Sequence, residues 1–184
     1  MQKSKIFWSL GVLALLAAVF TIYGLGLHNS LVFDDGRLSD GTIFGRYGSL
    51  IEPKVRMLSY GSFVWIQSLF GESMAVQRAF NIVLHLATCY AIWLLVTELF
   101  RHTAFSDEAR AEPGFDTHIR IAIFAAVALF AVHPVGVYAV GYLVQRSMVM
   151  MTLFSALACW AYTLAVALVR ARCLILERAR EESL

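Results

Sequence analysis

Two adjacent carboxylates, Asp34 and Asp35, lie in Leu31-Val32-Phe33-Asp34-Asp35-Gly36-Arg37, just past a long uncharged run from Ile6 to Leu27. A carboxylate at the edge of an apolar segment can take a proton from a hydroxyl, hold a cation, or face water in a turn. Adjacent carboxylates also repel, which raises one pKa toward a working range. The chain offers partners for such a pair. Arg56, Arg78, His133 and Arg146 each fall near a break between apolar stretches. Arginine grips phosphate through a planar, bidentate fork. Carboxylates beside arginines and a histidine suit the transfer of a group from a lipid-phosphate-linked donor to a hydroxyl. The competing reading is that the arginines snorkel to headgroups and pair with the aspartates.

Membrane segments would have to position these residues. The 184-residue chain is 59% hydrophobic and 15% charged, with a mean hydropathy of +0.69. Soluble domains run at about 45–50% apolar and about 25% charged. The net charge of +2 gives no reason to expect nucleic acid as a partner. Cys89, Cys159 and Cys173 show no metal-ligand spacing, and no metal or other cofactor is expected.

The expected fold is all-α, a polytopic membrane bundle of about four transmembrane helices over residues 6–27, 74–100, 119–134 and 147–169. Together these make a module over 1–169, followed by a cytoplasmic amphipathic tail over 170–184. The first apolar run is too long for a signal peptide, and Gly26-Leu27-His28 is a poor cleavage site. Glycines punctuate the long first outer loop, which carries a stretch from Val55 to Phe70 whose spacing allows an amphipathic helix in the interface or a helix packed on protein. Gln77, Asn81, His85 and Thr88 fall on one face of the second span, which should point into the bundle with Arg78 at its outer end. Pro134 should end the third span near His133. Lys3, Lys5, Arg101, Arg110, Arg120 and the tail arginines favour cytoplasmic termini, with the Asp34–Asp35 loop outside.

The order of these pieces resembles the N-terminal membrane module of GT-C class glycosyltransferases, most of all the transmembrane and tetratricopeptide-repeat O-mannosyltransferase branch and its bacterial relatives. The residues that carry it are Phe33-Asp34-Asp35, Arg56-Met57-Leu58-Ser59-Tyr60, Phe80-Asn81-Ile82-Val83-Leu84-His85, His133-Pro134-Val135 and Tyr142-Leu143-Val144-Gln145-Arg146. The resemblance implies a polyprenyl-phosphate-sugar donor and an acceptor outside the cytoplasm of a bacterial inner membrane. Asp34 or Asp35 would be the catalytic base. Arg146, with Arg56 or His133, would hold the donor phosphate, and Arg78, Asn81 and His85 would form a supporting polar face. The sequence departs from the family pattern at Tyr138, where an acidic residue is usual after His-Pro, and at Met57, where proline is common. Family members carry more spans, so the chain is expected to be either the N-terminal part of a longer transferase or a short relative without a complete donor site. The alternative is a non-catalytic four-helix subunit or scaffold of a larger membrane complex. Expected partners are a lipid-linked sugar, membrane lipids and that larger complex.

Overall fold

The computed structural model describes residues 2–31, 33–48 and 54–181. Among them every regular element is helical: α1 (Gln2–Gly24), a 3-10 turn (Phe33–Asp35), α2 (Gly36–Ser39), α3 (Thr42–Tyr47), α4 (Met57–Phe70), α5 (Met74–His102), α6 (Asp107–Ala111), α7 (Phe115–Val132), α8 (Gly136–Gly141), a second 3-10 turn (Leu143–Gln145) and α9 (Arg146–Glu181). Three helical stretches are long and apolar enough to cross a membrane: Met74–His102, Phe115–Val132 and Leu143–Cys173. Trp8–Gly24 forms a shorter apolar helix beside them.

Element boundaries differ from the sequence expectation in three places. α1 stops at Gly24 rather than Leu27, and the chain turns through Gly26 with N–H groups of Gly26 and Leu27 bonded to the carbonyls of Tyr23 and Gly24. α7 begins at Phe115, several residues before the expected start, because Gly114 takes the left-handed φ of 86° that lets a new helix begin there. The tail does not separate from the last span: α9 runs unbroken through residue 170 to Glu181.

The long helices alternate in direction, and α5 packs against α1, α7 and α9. Their shared core holds Val19 and Tyr23 of α1, Ile82 and Cys89 of α5, Val127 and Ala131 of α7, Val140 of α8 and Val149 of α9. The first loop folds into a helical cap over one end. Leu38, Ile43, Tyr47, Tyr60 and Phe63 pack there against Leu143 and Val144. α4 turns Ser59 to Phe63 and Ile66 inward and leaves Leu58, Leu69 and Phe70 exposed.

Pro134 has a specific consequence. It ends α7 and leaves the Ala131 carbonyl without a helical N–H partner. Two side chains take up this oxygen, the Tyr23 hydroxyl at 3.2 Å and His85 Nε2 at 2.9 Å. Tyr23 and His85 meet edge-on, with ring centroids 5.2 Å apart. His133, the residue after α7, accepts the Val135 N–H on its Nδ1 at 3.3 Å. The chain then enters α8 through Gly136, where a side-chain carbon would collide with the Tyr23 hydroxyl.

Gly136→Ala should therefore destabilise the protein by about 1–3 kcal/mol through overpacking. Gly141→Ala, whose added carbon would reach only ordinary contact with Val137 at 3.8 Å, should leave it nearly unchanged. Thermal unfolding in detergent checks the pair, and equal effects at the two glycines would contradict this packing.

Candidate functional site

The residues named from sequence gather at the end of the bundle where α1 and α7 finish and α5 and α9 begin. They do not form one cluster there. Asp35 and Arg78 line a cavity of about 570 Å³ whose wall includes Tyr23, Asn29, Tyr138 and Tyr142. His85 and His133 line a different cavity, about 420 Å³, between α5, α7, α8 and α9. Arg56 belongs to neither. Arg146 is sealed inside the protein.

Arg146, the first residue of α9, has no solvent exposure. Its Nε donates to Asn81 Oδ1 at 2.7 Å and its Nη1 to Ser62 Oγ at 2.9 Å. Nη2 donates to both the carbonyl and the side-chain oxygen of Gln77, each at 2.9 Å. The guanidinium stacks 3.7 Å from the Phe63 ring centroid and 5.0 Å from that of Phe80. Its hydrogen-bond partners are neutral. Placing an unpaired charge out of water costs several kcal/mol, and a complete set of hydrogen bonds with a cation–π contact offsets it. Asn81 and Gln77 extend the cage: Asn81 Nδ2 donates to the Val140 carbonyl at 3.2 Å, and Gln77 Nε2 to the Phe63 carbonyl at 2.9 Å. The expectation that Arg146 holds a donor phosphate meets a guanidinium enclosed by protein groups on α4 and α5. The polar stripe of α5 does face inward as its spacing requires. Asn81 ties α5 to α8 and α9, and His85 serves the end of α7.

Asp35 has a comparable duty. It is 1% exposed. Its Oδ1 accepts the Val144 N–H at 2.9 Å and its Oδ2 the Leu143 N–H at 3.2 Å. Those N–H groups open the turn that leads into α9, so the carboxylate caps that start and places negative charge at the positive end of the helix. Burial raises the Asp35 carboxyl above its ordinary value. The Val144 and Leu143 N–H groups and Arg78 pull against that rise, and Asp34 adds a further upward push. Arg78, nearly buried, donates to the carbonyls of Leu27 at 2.9 Å and Ser30 at 3.3 Å, which holds the turn after α1.

Asp34 stands outside this buried set. Its carboxylate is exposed and lies 3.7 Å from Arg37, a contact of little energetic weight. Its backbone N–H donates to the Tyr142 hydroxyl at 2.7 Å, which pins the acidic pair to the chain entering α9. Arg56 caps α4 in the left-handed conformation at φ 64°, with its Nη1 bonded to the Tyr60 hydroxyl at 2.8 Å. Among the described residues no group of three or more His, Cys, Asp or Glu side chains could form a metal cage.

Sequence reasoning gave no role to Tyr23, Asn29 or Ser62 as wall or cage residues, whereas Gln77 was expected on the inward polar face. For Asn29 a signal exists in the polar run His28-Asn29-Ser30 right after the apolar segment. For Ser62 none exists, because its role depends on how α4 docks.

The position of Asp35 has a pH signature. An acid whose pKa is higher in the folded than in the unfolded state adds stability that is full below the unfolded value, near 3.8, and is lost as pH rises through the folded value. The stability of the wild type relative to Asp35→Asn should fall as pH rises out of the acid range and then level off. Unfolding midpoints of both proteins across a pH series check this, and a wild-type stability that rises relative to the variant's with increasing pH would contradict it.

No family model, curated protein or solved structure matches this chain.

Proposed function

We propose that the chain is a GT-C-like glycosyltransferase module of a bacterial inner membrane, crossing four times with both termini in the cytoplasm and the Asp34–Asp35 cavity outside. One observation carries this reading: the 570 Å³ cavity joins a carboxylate and a guanidinium, Asp35 and Arg78, to an apolar wall of Ile22, Leu25 and Val137. A lipid-linked sugar phosphate has the same division, with an anionic head and a hydrocarbon chain. α1, at 23 residues, has a rise of about 34 Å, enough to cross alongside the other three. Exposed Leu58, Leu69 and Phe70 suit α4 to lie at headgroup depth.

In the proposed reaction the acceptor hydroxyl gives its proton to Asp35. The acceptor oxygen bonds to the sugar carbon, and the carbon–oxygen bond to phosphate breaks. The lipid phosphate leaves with the displaced electron pair beside Arg78. A raised carboxyl pKa favours such a base, because it brings proton affinity closer to the working pH. Arg78 takes the phosphate role here, since Arg146 is enclosed by Ser62, Gln77 and Asn81. Asp34 and Arg37 sit at the exposed rim.

The same enclosure favours a second reading, a non-catalytic membrane subunit whose buried polar groups serve only to fix its helices. Both readings meet in one experiment on the protein in its native membranes, supplied with a radiolabelled polyprenyl-phosphate sugar. The transferase reading expects label to reach an acceptor and expects Asp35→Asn to cut the rate by about 10²-fold or more with the detergent-extracted protein still folded. Undiminished transfer by an Asp34→Asn/Asp35→Asn double variant would reject the base. No transfer by the wild type, together with stable co-purification of a membrane partner, would favour the subunit.

A further inference from the structure

We propose that the opposite end of the bundle binds a single anionic phospholipid, with its phosphate between Arg101 and Arg120 and one acyl chain in a groove between α1, α5 and α7. This site stands apart from the transferase reading. The rise from Arg78 to Arg101 along α5 is about 35 Å, slightly more than the hydrocarbon core of a bilayer.

Two cavities meet at this end, of about 350 and 330 Å³, and both are lined by Thr97, Arg101, Arg120 and Ile123. Asp116 lines the first, which disfavours an anion there. The described lining of the second holds no acidic residue. It adds Trp8, Val12 and Trp93 to the shared set. Trp8, at the start of the apolar stretch Trp8–Gly24, marks headgroup depth at this end, while Trp93 lies deeper along α5. From Val12 and Trp93 the wall continues into a third cavity of about 310 Å³, lined by Leu15, Leu86 and Phe124 among others. Two guanidinium groups thus stand at the head of a continuous apolar groove. A phospholipid has the matching form, and basic pockets between membrane helices suit anionic headgroups.

Two details prepare the site. The buried Glu98 carboxylate accepts Arg101 Nη1 at 3.1 Å and contacts His102 Nε2 at 3.0 Å, so it holds Arg101 in place through one of the five guanidinium donors. Thr97 differs from the other threonines nearby on α5. Thr88 and Thr103 each donate to the carbonyl four residues back, at 2.8 and 2.9 Å. The Thr97 hydroxyl is buried and makes no hydrogen bond among the described residues, although Thr97 lines both cavities between the arginines. A side-chain rotation that turns this hydroxyl toward either cavity would give it a phosphate oxygen as partner.

The test uses the full chain purified in a neutral detergent and titrated separately with phosphatidylglycerol, phosphatidylcholine and inorganic phosphate. Bound lipid is read by native mass spectrometry and stability by the thermal midpoint. Phosphatidylglycerol should bind roughly tenfold more tightly than phosphatidylcholine and raise the midpoint. Inorganic phosphate should not reproduce the shift. Arg101→Gln/Arg120→Gln should remove the preference, and Arg120→Gln with Arg101 intact should weaken it if the double variant fails to fold. Leu15→Trp should weaken phosphatidylglycerol binding by filling the groove while leaving both arginines in place. Equal binding of the two lipids by the wild type, or unchanged phosphatidylglycerol binding by the Arg120 and Leu15 variants, would overturn the proposal. An equal effect of inorganic phosphate would make this a free-phosphate site and overturn the lipid assignment.

Discussion

The structure depends on a buried guanidinium. Arg146 begins α9, and its donors reach the Ser62 hydroxyl of α4 and the Gln77 and Asn81 side chains of α5. A buried cation among neutral partners tolerates little rearrangement, because each lost hydrogen bond leaves charge in a medium that cannot screen it. The cage therefore sets where α4 docks and at what height α9 meets α5. Asn81 also holds α8 through the Val140 carbonyl. Asp35 acts one step earlier in the same segment by taking the N–H groups of Leu143 and Val144. Together Arg146 and Asp35 fix the entry of α9, and the cavity beside Asp35 takes its shape from them.

Much of the fold is legible in the sequence because apolar length and glycine and proline breaks are local signals. The runs that became α5, α7 and α9 stand out by composition, and Pro134 marks the end of α7. The inward stripe Gln77, Asn81, His85 and Thr88 is legible because helical periodicity alone places those residues together, and all are buried. The candidate site was less legible. An arginine after a tyrosine-rich turn suggests a phosphate ligand when its neighbours in space are unknown. The cage is assembled from segments more than sixty residues apart in sequence, from Asn81 and Ser62 to Arg146. Asp35 was hard to interpret for another reason. Its partners are backbone N–H groups, which exist at nearly every position and leave no mark in a sequence.

The two ends of the bundle differ in how they use charge. At the Asp35 end, Arg78 and Arg146 are turned inward and spent largely on carbonyl and amide oxygens. At the other end Arg101 is exposed, with Glu98 as its anchor, and Arg120 is exposed beside it. Charges that end inside the protein fix geometry, and charges at a rim meet whatever surrounds it. The inward charges shape the cavity proposed for the lipid-linked donor, and the rim charges leave the groove beside Trp8 and Trp93 suited to a separate phospholipid.

A double-mutant cycle between Arg146 and Asn81 tests the central claim most directly, with Arg146→Met, Asn81→Leu and their combination compared by unfolding free energy in detergent. If the cage organises this end of the bundle, the two losses are strongly non-additive, with coupling above about 1 kcal/mol, because removing either partner already dismantles the shared network. Losses that add to within about 0.5 kcal/mol would mean the two side chains act independently, and would contradict the account.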